Sequence, residues 1–207
     1  MARGARSSRR RFGGALEPFS VIDIEFARGR GELGRLAQAQ IAHAFPGILA
    51  DLSRMRRAGA ALDVARSLSA PEAGDTEAFD ATLAMLEALD TLDTEDAEGG
   101  ERIGTGYRAR LLAVCGFAPS LDACGRCGRR PGPEQPGQFD PHAGHLVCRS
   151  CGGASRVLSA RSRALLRALS GPHWLTAATA PWSPEVVREV VSAVQAMTEY
   201  RSDRSHT

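Results

Sequence analysis

Cys124-Gly125-Arg126-Cys127 and Cys148-Arg149-Ser150-Cys151 are 20 residues apart, and a glycine, Gly128 or Gly152, follows each pair. Two residues between cysteines let a tight knuckle aim both sulfurs at one point. A tetrahedral dication such as Zn²⁺ accepts four thiolates. Glycine after the second cysteine suits the turn, where φ can be positive and backbone N–H groups approach sulfur. Between the pairs, Gln138-Phe139-Asp140 and His145-Leu146-Val147 can pair as a hairpin across Pro141–Gly144. Knuckle, hairpin, knuckle is a zinc ribbon with Cys124, Cys127, Cys148 and Cys151 as ligands and Zn²⁺ in a structural role.

Disulfides are the competing reading, but cytosolic disulfides are rare and the chain carries no secretion signal. A redox CxxC sits at a helix N-terminus after a strand, and a second matched pair would be superfluous. His142 and His145 are read as hairpin surface, since four thiolates already complete a shell. Cys115 is read as a small core residue. Four cysteines leave no open coordination position for a catalytic metal. HExxH, the HxE–PCxxC deaminase pattern, the P-loop, GxGxxG and GxSxG are all absent from the sequence, so no active site is expected.

Outward from the ribbon, the pattern is helical on both sides. Pro46 opens a helix with Ile48, Leu52, Met55, Gly59 and Leu62 on one face, fading by Leu68. Phe79, Leu83 and Leu86, with Met85 and Leu89, mark a second helix. Asp93–Gly100 reads as an acidic loop, and Ile103, Tyr107, Leu111 and Val114 as a third helix stopped by Gly116 and Pro119. After the ribbon, Ser159 caps a helix carrying Leu165, Leu166 and Leu169, ended by Gly171-Pro172. Ser183-Pro184-Glu185 opens the last helix, with Val187, Val190, Val191, Val194 and Met197 as its stripe. Nearer the N-terminus, Val21–Phe26 alternates as a half-buried strand, with Ile22, Ile24 and Phe26 on one face. Arg28-Gly29-Arg30-Gly31 is a turn, and residues 33–44 fit helix or strand equally.

The 207 residues are 43% hydrophobic and 24% charged, which places the chain among globular proteins, with one core or two small ones. No run of 18 apolar residues occurs, so no transmembrane helix is expected, and the cytoplasm is the expected compartment. All 26 basic residues are arginine. This matches coding bias in a GC-rich genome, and it makes every basic contact a planar, permanently charged fork suited to phosphate. Residues 1–40 hold 8 Arg against 4 acids, residues 41–101 hold 4 against 13, and residues 102–207 hold 14 against 7. Basic ends around an acidic middle fit a polyanion at the ends, or an unevenly charged solvated surface.

Three stretches together resemble the RecO family of bacterial recombination mediators. The first is Ala2–Arg6 with Arg9, Arg11, Phe12 and Leu16-Glu17-Pro18-Phe19. The second is Phe45-Pro46-Gly47-Ile48 followed by Asp51-Leu52 and Arg54. The third is Leu111-Leu112, Gly116-Phe117, Pro119 and Leu121, leading into the two CxxC pairs. The resemblance implies an α+β chain: an N-terminal OB-fold barrel, then an all-helical domain with an inserted four-cysteine zinc ribbon. The expected boundaries are 1–44 for a partial OB fold, 45–119 and 158–200 for the helical domain, 120–157 for the insert and 201–207 for a polar tail.

It further implies binding of single- and double-stranded DNA and annealing of complementary strands. Assistance to RecA on DNA coated by single-strand-binding protein (SSB) is also implied, with RecR and the acidic SSB tail as partners and no catalysis. The family has about forty residues, roughly three strands, ahead of the basic segment that opens this chain, so the functional protein is expected to begin upstream of Met1. Beside the resemblance, Arg3, Arg6, Arg9, Arg10 and Arg11 with Phe12 and Phe19 supply the basic and aromatic ingredients of an OB groove. Arg126, Arg129 and Arg130, with Arg149 and Arg156, would extend a phosphate track around the ribbon. The reading from another class is a ribbon-bearing protein-interaction module without a DNA role, working through its acidic middle.

Overall fold

The computed structural model describes residues 18–27, 35–69 and 75–204. It is a mixed α+β chain: a small sheet, then a helical region, with a cysteine-bearing sheet inserted in it. The expected turn at 28–31 and the N-terminal basic segment lie outside the described residues.

Strands β1 (Ser20–Ala27) and β2 (Arg35–Ala44) pair antiparallel, so the ambiguous stretch is strand. The register slips at Val21/Ile22 and again at Glu25/Phe26. One slip reverses which residues share a face. Val21, with Phe19, packs on the main core, while Ile22 and Leu36 gather around buried Ala39. The expected apolar face is only partly covered: Ile24 is 51% and Phe26 63% exposed. Among the described residues this part is a two-stranded sheet.

The first helical stretch is two helices, because Asp51 is extended and caps the second. Helix α1 is Pro46–Ala50 and α2 is Leu52–Leu68, with the Asp51 carboxylate accepting from the Arg54 N–H at 2.8 Å. The break resets the helical phase. Ala58, Ala61 and Leu68 face inward, and Leu52, expected in the apolar stripe, is exposed. Arg54 then fastens the pair to the end of α3 (Thr76–Thr91), donating to the carbonyl of Asp90 at 2.8 Å and to that of Leu92. Cations are favoured at such carbonyl-rich helix ends. In α3 the inward face is Ala78, Ala81, Met85, Leu86 and Leu89; Phe79, expected there, is exposed.

Helix α4 (Ala97–Leu112) begins earlier than the loop reading of 93–100 allows. Asp96 caps it, accepting from the Gly99 N–H at 2.7 Å. It is the central element, touching α2, α3 and the three later helices α5 (Ala160–Ser170), α6 (Trp174–Thr179) and α7 (Pro184–Arg204). Its Tyr107 is fully buried beside the Thr82 hydroxyl at 2.9 Å, and burial pushes its phenol pKa up. A π-helical turn, Ala113–Phe117, ends it at Gly116. Ser159 caps α5 as expected, accepting from the Ser162 N–H at 3.2 Å. On α7 the buried residues are Val186, Val190, Ala193, Val194, Ala196, Met197 and Thr198, and the helix runs through Arg201 to Arg204 where a polar tail is expected.

Gly106 sits where α6 crosses α4: a Cβ there would lie 2.8 Å from that of Ala178 and 3.1 Å from the Trp174 ring. Gly104, two residues earlier, faces open space. Gly106→Val should therefore destabilise by about 1–3 kcal/mol through overpacking. Gly104→Ala should stabilise by about 0.5–1 kcal/mol through helix propensity. Urea denaturation of both variants checks the contrast, and equal effects would remove the close crossing.

Candidate metal centre

The insert is a four-stranded sheet in the order β3-β5-β4-β6: β3 (Ser120–Cys124), β4 (Gly137–Asp140), β5 (His145–Leu146) and β6 (Arg156–Leu158). The expected hairpin forms, with Phe139 opposite Leu146 and Asp140 opposite His145. Alternation along these short strands turns Leu121, Phe139, Leu146 and Leu158 inward. They join the same core cluster as the helices, so the ribbon has no core of its own.

Both knuckles close as their glycines require. Gly128 N–H donates to the Cys124 carbonyl at 2.8 Å with φ +74°, and Gly152 N–H donates to that of Arg149 at 3.0 Å with φ +101°. The four Sγ atoms all lie within 4.8 Å of one another. Cys127 and Cys148 sulfurs are 3.6 Å apart, too far for a disulfide. That spacing matches the edge of a tetrahedron with zinc–sulfur bonds of about 2.3 Å, whose edge is about 3.8 Å.

The thiols also divide as a proton-sharing cluster does. The Cys148 backbone N–H, 3.4 Å from the Cys124 sulfur, is the largest cause lowering that thiol's pKa to about 6. Hydrogen bonding with Cys127, then with Cys148, pushes Cys151 up to about 12. Four thiolates so close repel, and a dication held by Cys124, Cys127, Cys148 and Cys151 relieves them all. The donor set fits Zn²⁺ in a structural role, since four protein ligands leave no position for substrate.

The histidines stand apart from this cluster. His142 is exposed and stacks on Tyr200 of α7, ring centroids 4.6 Å apart. His145 is half-buried, its Nδ1 3.0 Å from the Leu146 carbonyl. Cys115 is half-buried in the π turn, its thiol pKa raised by burial and then by Asp75.

Of the arginines singled out from sequence, Arg3, Arg6, Arg9, Arg10 and Arg11 lie outside the described residues. Arg126, Arg129 and Arg130 are exposed on the ribbon, and Arg129 and Arg130 line one hollow there. Arg126 donates across the knuckles to the Cys151 carbonyl at 2.6 Å, and Arg129 to the Ser150 hydroxyl at 3.2 Å. Sequence reading missed Arg163, whose side chain is buried under the ribbon. It donates to the carbonyls of Leu121 and Gly132, each at 3.3 Å, and of Gln135 at 2.7 Å. The available signal was its place three residues before Leu166, on the inward face of α5.

The fold and site define an α+β protein whose helical body carries an inserted sheet with four clustered cysteines that could hold a metal ion. Residues 1–45 match the family model "Recombination protein O N terminal", and residues 49–207 match "Recombination protein O C terminal". The DNA repair protein RecO of Anaeromyxobacter sp. (strain K) is 36% identical over 209 residues, covering 98% of this chain and 79% of the relative. RecO of Geobacter sulfurreducens is 33% identical over 184 residues, covering 89% and 73%. RecO of Myxococcus xanthus is 36% identical over 168 residues, covering 81% and 66%. The chain belongs to the RecO family of DNA repair proteins.

Native mass spectrometry of the reduced protein should find one Zn²⁺ per chain. Structural zinc in peptides contributes about 10–16 kcal/mol of apparent binding energy to folding. Cys148→Ser should therefore lose the metal and leave the protein poorly soluble. A metal-free, fully folded wild type would contradict the assignment.

Proposed function

We propose that this protein is a non-catalytic recombination mediator. In this reading it binds single- and double-stranded DNA and anneals complementary strands in the cytoplasm at the nucleoid. With RecR, and through the acidic tail of SSB, it helps RecA replace SSB. The N-terminal β1–β2 sheet belongs, in this reading, to an OB-fold barrel. Family membership over both halves of the chain is the observation that carries the reading. Charge supports it: five arginines crowd into residues 3–11 with no acid among them. Neighbouring guanidiniums repel one another, and a polyanion relieves that repulsion while releasing counterions. Forks on phosphate position a protein without reading bases, so sequence preference should be weak. Among the described residues no helix is long and apolar enough to cross a membrane.

Fluorescence anisotropy on labelled single-stranded DNA, across a salt series, tests this. Affinity should fall steeply with salt. Changing Arg3, Arg6, Arg9, Arg10 and Arg11 to Gln should flatten the log–log slope by roughly 2–3.5, at about 0.7 per phosphate contacted. Complementary strands should anneal faster with the wild type than without protein. Absence of DNA binding at low salt, or DNA-dependent ATP turnover that survives purification, would overturn the reading.

A further inference from the structure

The arginines of the ribbon are not equivalent. A dication with four thiolates leaves two net negative charges at the knuckles. Arg126 and Arg129 lie against those knuckles, hydrogen-bonded to Cys151 and Ser150, and offset that charge. Arg130 and Arg149 are also exposed, yet neither guanidinium makes a hydrogen bond or ion pair among the described residues. Nothing in the ribbon's own structure accounts for them.

Both line a hollow of about 500 Å³ beside the metal centre, together with Arg129 and an apolar floor of Pro131, Pro136 and the half-exposed Val157. Among the described residues no carboxylate lines it; Cys124 and Cys148 of the thiolate cluster do, facing three arginines. A second hollow, about 360 Å³, adjoins it, with Arg130 and Pro131 as the shared wall. Among the described residues its one carboxylate, Asp122, is already paired with Arg167. Two positive hollows in series, floored by proline and valine, suit a chain with regularly repeated negative charge and apolar sugar between the charges. A single bound anion would occupy one hollow and leave the other unused.

We infer that Arg130 and Arg149 hold successive phosphates of a single nucleic-acid strand running through these two hollows. The inference rests on the DNA-binding reading above and adds a second track to the N-terminal arginines. A recessed groove encloses one backbone, and the guanidinium fork matches phosphate oxygens. An acidic peptide would supply charge too, but a carboxylate offers two acceptor oxygens to a guanidinium fork, whereas successive phosphates repeat the charge at the regular spacing that two hollows in series take up.

The test compares wild type, Arg130→Gln/Arg149→Gln and the distant exposed control Arg66→Gln, each first shown to retain one zinc per chain. Each is titrated with fluorescein-labelled oligothymidylate across a salt series. The double variant should flatten the log–log slope by about 0.7–1.4, one to two phosphates' worth, and Arg66→Gln should leave it unchanged. Wild-type binding with the same slope in the double variant overturns the groove while leaving the mediator reading standing. Failure of wild type to bind any DNA overturns both. Binding of labelled oligoglutamate that the double variant abolishes, with oligothymidylate unaffected, reassigns the groove to acidic peptides and overturns the inference.

Discussion

Four sulfur atoms within 4.8 Å of one another are the constraint on which the insert depends. The ribbon's strands run from two to five residues, too short to hold a sheet by pairing alone. Closing the two knuckles on one ion would fix the end of β3 and the approach to β6, whose Leu121, Phe139, Leu146 and Leu158 join the core of the helical body. A metal held there would therefore act on more than its own loop, through a surface that completes the helices' core.

Arginine carries the polar half of the same junction. Arg163 spans three carbonyls of the ribbon from a buried position, which one compact ammonium could not do with the same geometry. Arg156 reaches Ser192 on α7, and Glu189 of α7 accepts from the Ser159 N–H at 2.7 Å. At the hairpin tip, Arg201 lies over the Phe117 ring, 4.5 Å from its centroid, and donates to the His142 carbonyl. Docked at three places, the ribbon is part of the body rather than a finger on a tether.

What the sequence disclosed was chemistry at short range. The paired CxxC spacing, the glycines after each pair and the hairpin between them are local, and each is realised at the expected residues. So is the Ser159 cap. Readings that required a helical phase fared less well. Asp51 looks like one more polar position in a long helix, but its carboxylate caps the next segment and rotates the inward face onto alanines. Gly99-Gly100 reads as loop by propensity; the Asp96 cap and the Arg57 guanidinium packed over Gly100 make it helix. Helix α6, six residues beside a Gly-Pro break, is too short for periodicity to reveal, and its place follows from Trp174 packing on Gly106. On β1, Val21 rather than Ile24 packs against the core, and the two register slips break the single apolar face that strict alternation predicts.

The coupling between metal and helical body is measured most directly by hydrogen exchange, with zinc bound and after its removal by a chelator under reducing conditions. Amides of Leu166 and Leu169 in α5 and of Val190 and Val194 in α7 should lose protection together with those of the ribbon, because all share one core. Loss of protection confined to residues 120–158, with α5 and α7 unchanged, would contradict the account.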